Sequence, residues 1–271
     1  MKRTLPFIAV LMFTASSLAQ GPAGVAPLGS QGYEIDKYDV LDEAEYKFSY
    51  KLTCIVDTIT KEKVVNNLIL LTGPKYSKFF NNYPPHPELK KGRASTDESR
   101  GLGATEVYKN MEKKKMSVTT RVWMPRDVYI YEEDLPVQMW TFSSDFKQIH
   151  GYKCQKATTS FLGRDYTAWF TTEIPISNGP WKLGGLPGMI LEAYDTQLHY
   201  VFNCVGIEKL KKPEPIVMYN WHYVKTSHSR IQKMIRLMHE DLYLFVNQAM
   251  NRSTDPNHVP KPRPYNPLER E

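Results

Sequence analysis

The chain predicts a mainly β fold (α+β by class), an antiparallel meander with one helix packed near its C-terminal end. Three observations lead there. Apolar and polar residues alternate with period two in many short segments, the pattern of strands with one buried and one wet face. Turn residues separate these segments about every eight to twelve positions, with no alternating helices, which excludes a parallel α/β sheet. One stretch of helical spacing occurs, and it comes late.

Residues 1–19 read as a secretory signal. Lys2 and Arg3 supply the basic start, Leu5 to Phe13 the short apolar run, and Ser17-Leu18-Ala19 the small-residue site, with cleavage expected after Ala19. That run is too short to span a bilayer and no comparable one follows. The expectation is an exported chain, periplasmic or secreted, that does not span the membrane. Residues 20–32, rich in Gly, Ala and Pro, read as a flexible leader.

A single domain is expected over residues 33–252. Residues 33–40 read as a first short strand. Tyr46, Phe48, Tyr50, Leu52, Cys54 and Val56 then alternate with Lys47, Ser49, Lys51 and Thr53, a clear half-buried strand. Asp57-Thr58 begins a turn, and residues 64–71 form the partner strand, stopped by Gly73-Pro74. Residues 75–80 continue as a strand or edge segment. Residues 81–104, rich in Asn, Pro, Gly, Lys and Ser, read as a long mobile loop. Strands are expected at 106–110, 116–124, 127–131 and 137–143, punctuated by Pro125 and Pro136.

Two hairpins form the aromatic centre. Residues 152–159 and 165–172 flank Leu162-Gly163-Arg164, with Gly163 at the positive-φ position, and residues 189–195 and 199–207 flank Thr196-Gln197-Leu198. A glycine-rich stretch joins them. The helix is expected over 227–250, capped by Ser227 or Ser229, with Ile231, Met234, Ile235, Met238, Leu242, Phe245, Val246 and Ala249 on its buried stripe. Pro256, Pro260, Pro262, Pro264 and Pro267 make residues 253–271 an extended tail rather than packed domain.

Charge and motifs narrow the function. Removing Lys2 and Arg3 lowers the net charge from +6 to +4. The lysines at 113–115 and at 209, 211 and 212 read as solvated turns without interleaved aromatics, so no nucleic-acid partner is expected. No G-x-S-x-G or H-E-x-x-H occurs, the seven histidines show no two-ligand spacing on one element, and neither metal nor cofactor is called for. Cys54 reads as a buried strand residue. Cys154 and Cys204 are the favoured disulfide pair, with inert thiols as the alternative, and His150 stands close to Cys154 in sequence.

The stretch from Gly179 to Ile190 holds four glycines and two prolines. As a ligand loop it offers Gly184, Gly185 and Gly188 for close backbone approach. As a tight corner it packs Leu186 and Ile190 inward, and the corner is the favoured reading. Five tryptophans and seventeen tyrosines would line an apolar cavity or fill a core. Tyr166, Ala168 and Phe170 share one strand face and Thr167, Trp169 and Thr171 the other. Trp169 and Trp181 are therefore the candidate ligand contacts, with Arg164 beside them. Arg164 is expected to bond a carboxylate across the sheet.

Several of these elements together resemble the GLPGLI family. They are Leu70-Leu71-Thr72-Gly73 with Ser77-Lys78-Phe79, Gly151-Tyr152-Lys153-Cys154-Gln155-Lys156-Ala157, and the run from Gly163 to Thr171. Gly185-Leu186-Pro187-Gly188-Met189-Ile190 (Met where the family usually has Leu) and the closing Tyr265-Asn266-Pro267-Leu268-Glu269 complete the set. The resemblance implies an exported protein of a Gram-negative envelope with no established activity. It also implies a curled, half-barrel or bowl-like sheet, similar to lipoprotein carriers and to the N-terminal bowl of some peptide N-glycosidases. No site residues are agreed for the family, so none carry over. The expected work is non-catalytic binding of a hydrophobic ligand or lipid, or of an envelope protein partner. The alternatives are a hydrolase with a site near Arg164, Glu173 and Asp195, and a structural scaffold without ligand.

Overall fold

The computed structural model describes residues 37–81, 106–121 and 127–270. The signal segment, the leader, the start of the first expected strand and nearly all of the expected loop 81–104 lie outside them.

The chain is mainly β. Six strands come first: β1 (Tyr38–Ile55), β2 (Lys63–Thr72), β3 (Tyr76–Asn81), β4 (Glu106–Asn110), β5 (Lys115–Arg121) and β6 (Val128–Asp134). Six more follow: β7 (Thr141–Ile149), β8 (Tyr152–Phe161), β9 (Arg164–Thr171), β10 (Met189–Asp195), β11 (Tyr200–Tyr219) and β12 (Tyr223–Lys225). Helices α1 (His228–Glu240) and α2 (Leu242–Ala249) close the list.

All twelve strands join one sheet in the order β12-β6-β5-β4-β3-β2-β1-β11-β10-β9-β8-β7. It is two antiparallel meanders zipped along their longest strands, with β1 against β11 from Tyr38↔Tyr219 to Cys54↔Tyr200. Among the described residues only β12 on β6 pairs in parallel. The sheet is open, with β12 and β7 as its edges.

It is also not flat. In a planar ladder β6 and β7 would stand ten strand spacings apart, roughly 48 Å at about 4.8 Å each. The six residues from Leu135 to Trp140 that join them reach at most about 25 Å. The sheet therefore bends until β6 and β7 come within that reach, without their pairing.

Local chemistry explains the elements. Phe48, Tyr50, Leu52 and Cys54 are buried along β1 with exposed or half-exposed residues between them, as the alternation predicts. The Asp57 carboxylate accepts from the amides of Ile59 and Thr60 and turns the chain into β2. At the β8–β9 turn both Leu162 (φ 48°) and Gly163 (φ 71°) are left-handed, the geometry of a two-residue primed turn.

Three differences from the sequence reading have physical causes. β11 continues past Ile207 through Lys209–Lys212 and Pro213, because a bulge between Tyr46↔Lys209 and Ala44↔Glu214 takes the proline out of the ladder. The expected single helix is two. Asp241 (φ −152°, ψ 85°) ends α1 and caps α2, its carboxylate accepting from the Leu244 amide at 2.9 Å. The tail, expected to be extended rather than packed, has its end packed, with Asn266 and Leu268 buried.

Candidate functional site

The glycine-rich stretch between β9 and β10 is an inward plug. Trp181, at φ 53°, is 0% exposed and sits against the rings of Phe161 and Tyr166 at 5.8 and 6.4 Å. Leu183 and Leu186 are equally buried. Gly188 is required because a Cβ there would lie 2.0 Å from the Thr171 carbonyl oxygen. Gly185 supplies a left-handed turn (φ 78°) beside Trp140. The close approach anticipated at these glycines is made by the chain itself, and Trp181 is a core residue rather than an exposed loop contact.

Distant strands hold this plug. Lys109 on β4 reaches in and donates to Asn178 Oδ1 (2.9 Å), Gly179 O (3.2 Å) and Leu183 O (2.6 Å). Burial pushes its ammonium down to about 7. Gln138 donates to the Lys182 carbonyl and accepts from the Gly184 amide, each at 2.9 Å, and Trp140 Nε1 donates to Gly184 O at 2.8 Å. Five backbone groups of the corner, from Gly179 to Gly184, are thus matched by side chains of β4 and of the segment between β6 and β7.

Two polar clusters flank the plug. In the first, Lys182 Nζ stands 3.0 Å from both Glu133 of β6 and Glu269 of the tail. His228, at the start of α1, faces Glu133 through Nδ1 (3.4 Å) and Glu269 through Nε2 (2.5 Å), stacked on Tyr131. Its hydrogen bonds to Glu133 and Glu269 raise its pKa to about 9, so it is an imidazolium at neutral pH. Both carboxyls are held below their usual range by His228 and Lys182, against the opposing effect of burial. With both ring nitrogens donating to carboxylates, His228 has no lone pair left for base chemistry.

The second cluster centres on Arg164. Its guanidinium pairs with Asp195 at 2.8 Å, both fully buried, which is the cross-sheet carboxylate the sequence reading expected. It also donates to Asn266 Oδ1 (2.9 Å), Leu268 O (3.0 Å) and the Pro267 carbonyl, and lies over the Tyr200 ring. Glu173 is elsewhere, exposed and accepting from the Lys153 amide, so the trio Arg164, Glu173 and Asp195 does not converge.

Trp169 is half-buried on the opposite sheet face. Lys147 lies 4.4 Å over its ring and pairs with Glu192 at 2.6 Å. Its indole Nε1 is buried without a hydrogen-bond partner among the described residues.

Cys54, Cys154 and Cys204 are all buried, and none is in a disulfide. The expected Cys154–Cys204 bridge is not formed. β9 and β10 lie between β8, which carries Cys154, and β11, which carries Cys204. Burial pushes Cys154 up to about 11 and Cys204 up to about 12, far from a reactive thiolate. His150 bonds the Cys204 carbonyl at 2.8 Å, not a thiol.

Sequence reasoning missed Lys109, Glu133, Lys182, His228 and Glu269. Lys182 lies in the glycine-rich stretch and Glu269 in the closing Tyr265–Glu269 motif, but nothing local brings positions 133, 182, 228 and 269 together. Among the described residues no group of three or more His, Cys, Asp or Glu side chains is placed to hold a metal ion. No helix there is long and apolar enough to cross a membrane.

Fold and site together define an open antiparallel sheet protein whose interior is packed with its own connector. A family model described as a protein of unknown function (Porph_ging) matches residues 162–192, which span β9, the plug and the start of β10. Two solved structures of PNGF-II are similar in fold. One, in space group P21, has a TM-score of 0.50 at 17% identity over 70% of this chain and 32% of that one. The other, in C2, has a TM-score of 0.49 at 16% identity over 71% and 32%. This chain thus spans about a third of the length of those structures. A search of curated proteins found no match.

Proposed function

We propose that this chain is an exported, non-catalytic binding protein of the cell envelope, of the GLPGLI kind, that engages a protein partner at the rim of its sheet. The observation that carries this reading is the filled interior. Trp181, Leu183 and Leu186 occupy the space where a carrier would hold a hydrophobic ligand. A hydrolase reading loses support because Arg164 and Asp195 neutralise each other and Glu173 stands apart.

The rim offers what the interior does not. Val137 and Met139 are 86% and 81% exposed before β7, and Phe142 and Phe146 are 54% and 51% exposed on it. Four large apolar side chains within ten residues at one sheet edge exceed the scatter expected of an ordinary surface. The register shift between Phe142 and Phe146 and the charges of Asp145 and Lys147 disfavour simple strand addition, so side chains rather than backbone make the contact.

The test places a photo-crosslinking residue at Phe146, and at Ile59 as an exposed control, in the protein's own envelope. A protein adduct specific to position 146, with no lipid in native mass spectra, is expected. Stoichiometric lipid overturns the reading in favour of a carrier, and no adduct at 146 leaves the scaffold. N-terminal sequencing beginning at Gln20 checks export and cleavage.

A further inference from the structure

The last residues of the chain sit in a seat that reads as a peptide-binding site. Arg164 donates to the carbonyls of Pro267 and Leu268, and Tyr200 donates to that of Asn266 at 2.5 Å. The Arg270 amide donates to Leu162 O at 2.9 Å, and the Asn266 amide group to Ile55 O at 2.7 Å. The Leu268 side chain is buried, and the Glu269 carboxylate is captured by Lys182 and His228. Backbone carbonyls, one apolar pocket and one acid socket are the means by which proteins recognise extended peptides.

What precedes the seat is different. Residues 251–264 are exposed except for His258, and carry neither helix nor strand. They are held to the helices by His258 on Asp241 and stacked on Tyr243, by the Asp255 amide on the Tyr243 hydroxyl, by the Asn251 and Arg252 amides on the end of α2, and by the Arg263 amide on His239 O. Fourteen such residues span up to about 45 Å when extended, more than enough to reach a neighbouring molecule.

We propose that this seat accepts the C-terminal segment of a second copy of the chain, so that two molecules associate by exchanging residues 265–270. Every contact that holds the segment in its own molecule is reproduced in the partner, and only the exposed stretch changes course. Such exchange makes a closed, two-fold dimer without new surface chemistry. The acid socket sets specificity, since Lys182 and His228, both facing Glu133 as well, each also hold Glu269. The inference is independent of the apolar rim at β7.

The test uses the full chain in two isotopic forms, mixed, concentrated and warmed, then treated with a zero-length carboxyl-to-amine crosslinker. Glu269 and Lys182, 3.0 Å apart, are the reporting pair. A dimer fraction whose Lys182–Glu269 crosslinks include heavy–light hybrids is expected. A synthetic peptide of residues 259–271 should suppress that fraction, and the same peptide with Glu269→Gln should do so at least tenfold less well. Monomer at every concentration, or dimers whose Lys182–Glu269 crosslinks are never hybrid, overturns the proposal. So does equal suppression by the two peptides.

Discussion

At the scale of single residues, His228 is the side chain whose behaviour departs most from its type. An ordinary histidine is largely neutral at pH 8, whereas this one stays charged to about 9 because two carboxylates face its two nitrogens. A folded-state pKa above the unfolded value of about 6.5 means that its stabilisation is complete below pH 6.5. It is lost as the pH rises through 9. Lys109 works in the opposite sense. Its folded-state value of about 7 lies below that of a free lysine, so its own effect makes stability rise with pH above 7. Comparing urea unfolding of the native protein with His228→Gln between pH 6 and 10 separates the two. The native advantage should be greatest at pH 6 and shrink towards nothing above pH 9. A difference that does not change with pH would show that His228 acts through packing alone.

At the scale of elements, the connector between β9 and β10 shows how a glycine-rich segment is used. Gly188 and Gly151 make a controlled pair. At Gly188 a methyl group would meet the Thr171 carbonyl, while at Gly151, at φ 82°, nothing lies within 4 Å. Gly188→Ala should therefore cost about 3 kcal/mol through forced displacement of β9 from β10. Gly151→Ala should cost about 1 kcal/mol from backbone strain alone. Denaturant midpoints of the two variants check the difference, and equal losses would mean the connector yields more easily than its packing indicates. Most strands were legible from alternation because each needs only its own residues to declare a buried face. The break at Asp241 was not. An Asp inside a helical stripe is tolerable, and it becomes a cap here because His258 arrives from the tail to hold its carboxylate.

At the scale of the whole molecule, β1 and β11 unite two meanders that are otherwise separate in sequence. Their ladder brings residue 38 against residue 219, so the core is not complete until most of the chain is in place. Cys54 on β1, Cys154 on β8 and Cys204 on β11 sample this unit from three places. Intact mass should show no disulfide among the three cysteines. A thiol reagent should modify all three at one common rate that rises with denaturant, the mark of opening as a single body. Faster labelling of Cys154 alone would show that the β7–β8 half opens on its own.

The sequence by itself determined the mainly β class, the order of strands and hairpins, the late helical segment, and the Arg164 bond to a carboxylate across the sheet. These follow from short-range patterns, since alternation, turn chemistry and capping act over a few residues. The tertiary structure alone decided that Trp181 fills the interior, that Lys109 holds the connector, and that Glu133, Lys182, His228 and Glu269 form one cluster. It also decided that the proline-rich tail ends in a seat. The reason is that these contacts join positions tens to more than a hundred residues apart. Their partners are chosen by how the sheet bends and by which buried charges must be neutralised, and neither is written in local spacing.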